Sequence, residues 1–132
     1  RIFKKIYKVE KCFKILPIAL EGIICHMGNY QATSLEAKVV EVADGTDISK
    51  GRARIPFHIG RPDIHKFSTL AIEKIEILEG EKKPLKFEIF MENPAGIFQT
   101  EEILIKKIKD AKFEDKVEIV AIIGKEREVR YF

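Results

Sequence analysis

The feature that most constrains this chain is a change of hydrophobic period along its length. Up to about Gly45, apolar residues recur at helical spacing; farther on, Leu85, Phe87, Ile89 and Met91 alternate with Lys86, Glu88 and Phe90. A 3.6-residue period and a 2-residue period cannot be satisfied by one kind of element, so helices must precede a sheet. The expected class is α+β, with a helical N-terminal lobe over residues 1–68 and a small β-β-α-β lobe over residues 69–132.

In the first lobe, Ile2, Ile6, Val9 and Phe13, with Lys4, Lys5, Lys8, Lys11 and Lys14 around them, predict a basic amphipathic helix over residues 1–16. Such a helix packs on its own domain with its lysines solvated, or lies on an anionic surface. Pro17 suits the first turn of a second helix, running through Ile18, Leu20, Ile23 and Ile24 to His26 and ending at Gly28 and Asn29. Thr33 with Glu36 has capping-box spacing for a third helix that stops at Gly45. Residues 48–62, rich in glycine and proline, should be an irregular loop. In the second lobe, Ile75 and Ile77 predict a strand joined to Leu85–Met91 by the Gly80–Pro84 turn. Thr100 is placed to cap a helix with Glu101 and Glu102 in its first turn and Lys106, Lys107 and Lys109 in its last, and Val117 to Ile123 closes the sheet.

A chain of 132 residues that is 45% hydrophobic and 34% charged carries enough apolar side chain for one folded core and is not a disordered type. Lys, Glu and Ile are favoured over Gln, Asn, Met and Cys, a bias associated with hyperthermophiles. The 24 basic residues nearly balance 21 acidic ones, which disfavours nucleic acid as a partner. No apolar run reaches the roughly 20 residues that span a bilayer, and Cys12 and Cys25 form no disulfide framework, so a cytoplasmic protein is expected. Arg1, rather than Met, begins the sequence, leading us to expect a trimmed chain or a piece of a longer one.

Two clusters carry potential chemistry. Asp44 and Asp47 sit three apart at the end of the third helix, where both carboxylates could ligate a divalent cation, with His26 brought to the same place by a tight turn. The alternative is a helix C-terminal turn that uses Asp and Gly for backbone reasons. Lys50, Arg52, Arg54 and Arg61 could hold phosphate oxygens, or could neutralise Asp44, Asp47 and Asp63 in an ion-pair network.

The run ICHMGNYQATSLEAKVVEVADGTDISKGRARIPF resembles the last helices of an archaeal group of HD-domain metal-dependent phosphohydrolases. The segments DIHKFSTLAIEKIEI and NPAGIFQTEEIL look like that group's appended C-terminal domain, and the resemblance covers about Leu16 to Ile123. It implies that Asp44 is the late Asp ligand of the metal and that His26 is an additional His; Asp47, three residues on, is expected from its spacing to join Asp44 as a catalytic carboxylate. It also implies that Lys50, Arg52 and Arg54 face the phosphate of a small-molecule phosphate ester such as a nucleotide. The implied cofactor is a divalent ion, Mn, Ni, Fe or Zn, held tightly only in a full site. The His-Asp dipeptide of such proteins occurs nowhere in the chain, since His58 precedes Ile59 and His65 precedes Lys66. The helical lobe therefore resembles the trailing half of an HD domain. Uncovered apolar faces on such a remnant predict a homodimer, and a non-catalytic binding or oligomerisation protein is the competing expectation.

Overall fold

The computed structural model describes residues 9–50, 64–124 and 127–132. Its class is α+β, and the chain divides at Asp44/Gly45 into two compact units. The division thus falls well before Ser68, the end of the helical lobe drawn from the sequence, because the helix Ile64–Ala71 belongs with the sheet.

The first unit is built on α1, Val9–Cys25, and α2, Leu35–Gly45. Helix α1 is continuous through Pro17, so Pro17 does not start a second helix as the sequence led us to expect. Lacking an N–H, Pro17 cannot bond the carbonyl of Phe13 and crowds it, a local cost that a run of apolar contacts can outweigh. Residues 1–8 of the predicted basic helix lie outside the described residues. At the start of α2 the Oγ of Ser34 accepts the Ala37 N–H at 3.2 Å, making Ser34 the capping residue in place of Thr33. Thr33 is otherwise engaged, its N–H and hydroxyl both donating to Glu21 Oε1 at 2.7 and 2.6 Å. The buried apolar cluster of this unit, Cys25, Ala32 and Ala37, is made of small side chains.

The second unit opens with α3, Ile64–Ala71, which runs into a four-stranded sheet of order β1-β2-β3-β4: Ile72–Glu79, Leu85–Met91, Val117–Ile123 and Arg127–Tyr131. The hairpin β1/β2 is antiparallel and sets Ile75 opposite Ile89 and Ile77 opposite Phe87. Strands β2 and β3 are parallel, Leu85 opposite Val117 and Met91 opposite Ile123. A parallel neighbour requires a crossover, and residues 95–110 supply it. Here α4, Ala95–Gln99, passes through a π-helical turn, Thr100–Ile105, into α5, Lys106–Asp110. Thr100 is therefore fully buried in mid-helix, its hydroxyl donating to the Gly96 carbonyl at 3.0 Å, and does not cap the helix as its sequence context suggested. The start lies earlier, where Asn93 Oδ1 accepts the Ala95 N–H. Strand β4, absent from the β-β-α-β expectation, pairs antiparallel with β3 after a turn at Gly124, whose φ of 61° suits glycine.

Phe87, Ile89, Met91, Val117, Ile119 and Ala121 point to one face of the sheet and, with Leu104, Ile105 and Ile108 of the crossover, make a dense core. Gly96 is part of that closeness, since a Cβ there would lie 3.0 Å from Met91 Sδ and 3.1 Å from Ile72 Cγ1. At the other end of the sheet, the backbone N–H groups of Lys82 and Lys83 in the β1/β2 turn both donate to Oε1 of Glu118 on β3, the second at 2.6 Å. Those two donors hold the Glu118 carboxyl below its ordinary pKa.

Candidate functional site

Between Ile15 and Cys25, Glu21 is the one charged side chain of α1. A helix apolar nearly all round is normally buried in a larger assembly of helices or in a membrane. No helix among the described residues is long and apolar enough to cross a membrane.

One side of α1 joins α2 to line an apolar groove of about 560 Å³, with Ile15, Ile18 and Ile23 as walls and Ala19 and Gly22 keeping it open. Val40 contributes from α2, and His26 and Glu36 give the groove polar groups. A second stripe of α1, Phe13, Leu16, Leu20 and Ile24, is exposed at the same helical spacing.

Glu21 fixes how the two helices meet. Besides the Thr33 donors, its oxygens take the Ser34 N–H at 3.2 and 3.3 Å, and these bonds lower its pKa to about 2. A carboxylate on the two N–H groups just before α2 also lies at the positive end of that helix's dipole. The end of α1 is thereby seated on the beginning of α2, and His26, whose Nδ1–H donates to the Ile23 carbonyl at 2.7 Å, stays there beside Glu36.

The structure does not bring His26 to Asp44. From Glu36 to Asp44, α2 rises about 12 Å at about 1.5 Å per residue. The expectation of a shared metal overlooked that consecutive antiparallel helices join end to start. Asp44, half-buried, is the last residue of the first unit. Asp47 is exposed and lies beyond the end of α2 at Gly45, so the helical spacing that would align it with Asp44 does not apply. Lys50 Nζ is 2.9 Å from Glu92 Oε1 and 3.9 Å from Glu73 Oε1 within the second unit. Arg52, Arg54, Arg61, His58 and Asp63 lie outside the described residues, and so does the rest of the expected loop after Lys50.

Among the described residues, no three His, Cys, Asp or Glu side chains gather into a group that could hold a metal ion. A mobile ion on one carboxylate would keep most of its water and impose no geometry, so the ligands described here do not by themselves fit a metal centre. On the sheet face away from the crossover, Lys74 pairs with Glu76, Lys86 with Glu88 and Arg130 with Glu128. Charges neutralised within one strand give a polyanion little net attraction.

No family model matches the chain, and no solved structure matches it. An archaeal relative, "Uncharacterized protein MJ1020" of Methanocaldococcus jannaschii, is 42% identical over 128 residues, which is 97% of this chain and 49% of the relative. The chain thus spans about half the length of the curated relative that it matches.

Sequence reasoning singled out His26 and Asp44 but not the groove or Glu21. The groove did have a signal: Ile15, Ile18, Ala19, Gly22 and Ile23 follow the i, i+3, i+4 rule, with small residues in the middle.

Proposed function

We propose that this chain is the C-terminal part of an HD-type metal-dependent phosphohydrolase of the cytoplasm, acting on a phosphate ester such as a nucleotide. The observation that carries the proposal is the stretch of α1 from Ile15 to Cys25, apolar but for Glu21 in a unit whose own core is small, within a chain that spans about half of a longer relative. A split α-domain would leave such a helix. In this reading Asp44 is one metal ligand at the end of α2, its co-ligands come from the remainder of the domain, and Lys50, Arg52 and Arg54 lie on the phosphate side. His26, at the opposite end of α2, takes no part in binding the same ion, and Asp47 is secondary.

When bound in a complete site, a divalent ion supplies an activated water and polarises the phosphoryl oxygen. The residues described here contribute one carboxylate to that arrangement and cannot position an ion alone. The test is reconstitution: this chain, mixed with the half of MJ1020 that it does not span, is assayed with Mn²⁺ against a panel of nucleotides and generic phosphate esters. Hydrolysis that needs both pieces and is abolished by Asp44→Ala is the expected result. Full activity with Asp44→Ala, or robust turnover by the 132-residue chain alone, would overturn the assignment.

A second reading, a non-catalytic binding or oligomerisation protein of the same descent, is favoured by the lack of a gathered ligand set among the described residues. It predicts a homodimer by light scattering and no hydrolysis in the mixture.

A further inference from the structure

The α1/α2 groove has the dimensions of a helix seat. From Ile15 to His26 it follows α1 for about 16 Å at 1.5 Å per residue, the length of a helix of about 11 residues. Its walls are branched aliphatic side chains, with the small Ala19 between them, while Gly22 lets α1 lie close to Val40 of α2. Glu36 adds a carboxylate that favours a basic residue on the occupant.

We infer that the groove receives an amphipathic helix from the half of the longer protein that this chain does not span, making α1 an inner helix of a larger bundle. The inference rests on the proposed split domain and names its partner surface. Two observations select this occupant. The relative has as much sequence again beyond the part matched here, enough to supply several helices. A second copy docked in the groove would cover one stripe of α1 and leave Phe13, Leu16, Leu20 and Ile24 in water, whereas insertion into a bundle covers both.

The experiment measures association separately from catalysis. The half of MJ1020 outside the match, first shown to be folded by circular dichroism or else co-expressed with the 132-residue chain, is titrated into that chain by calorimetry, with sedimentation to count chains. A one-to-one complex is expected. Ile23→Glu, which places a carboxylate in the apolar wall at an exposed position, should weaken it by about tenfold or more, and Ala19→Leu should do so by filling the seat. Tyr30→Glu, in the turn outside the groove, should leave affinity unchanged, and circular dichroism of each variant checks that the helices persist. Binding without hydrolysis would sink the catalytic reading and leave the seat standing. A chain that is dimeric alone and becomes monomeric with Ile23→Glu would give the groove to a second copy. No binding, or binding indifferent to Ile23→Glu and Ala19→Leu, would also overturn the inference.

Discussion

The two units are made from the same amino acids but end at different degrees of completion. Among the described residues, eleven large hydrophobic side chains of the first unit are exposed, against five in the second. The second unit buries Ile72, Ile89, Met91, Leu104, Ile108 and Ile119 almost completely, while the apolar core of the first is limited to Cys25, Ala32, Ala37 and Val42. The difference teaches that apolar content alone does not make a core. A sheet with a crossover helix closes locally on its own face, whereas two helices expose most of their girth and need further helices to finish the job.

Paired substitutions probe that contrast. Ile89→Ala, at a fully buried site, is expected to destabilise the second unit by about 2–5 kcal/mol, whereas Ile23→Ala in the groove should change the stability of the isolated chain by less than about 0.5 kcal/mol. Denaturant titration with a probe in each unit checks both, and equal losses would mean that the first unit has a core of its own. Glycine offers a comparison with opposite signs. Gly96→Ala should cost about 1–3 kcal/mol because its Cβ would press on Met91 and Ile72. Gly22→Ala meets nothing nearer than 3.7 Å and should stabilise α1 by about 0.5–1 kcal/mol through helix propensity.

In native-state hydrogen exchange, amides of residues 85–123 should open at least about 1.4 kcal/mol higher than those of residues 17–44, about tenfold in rate. Slower exchange in the helices would reverse the ranking. The smallest effect concerns pH. Because the Glu21 carboxyl is lowered from 4.5 to about 2 by the Thr33 and Ser34 donors, its contribution is complete above about pH 4.5 and is lost as the pH falls toward 2. Chemical shifts of the Thr33 and Ser34 amides should follow that titration. Glu21→Gln should flatten it, and a flat profile in the parent would remove Glu21 from its capping role.

Much of this was legible in the sequence. The 2-residue period placed β2, whose buried residues alternate, the apolar run Val117 to Ile123 placed β3, and Gly45 marked the end of α2. Strand β4, Arg127–Tyr131, escaped because three of its five residues are exposed and Val129 alone is aliphatic, so it carries no run to recognise. Thr100 misled because its local context is that of a cap, while tertiary burial of Ile97 to Ile108 extends the helix on both sides of it. The candidate site was legible as residue types and not as a place: Asp44 and His26 each have suitable chemistry, but in an antiparallel helical hairpin the end of the first helix meets the start of the second, which leaves them at opposite ends of α2.

The bond between the β1/β2 turn and Glu118 has a consequence for the order of events in time. Its partners lie 35 and 36 residues apart, so it cannot form until the crossover has delivered β3 beside a hairpin that is already closed by its own short turn. A contact made after the rate-limiting step adds to the barrier for leaving the native state and not to the speed of reaching it. Glu118→Gln is therefore expected to leave refolding nearly as fast as before and to shorten the lifetime of the folded sheet, and slowed refolding would instead place this contact before the rate-limiting step.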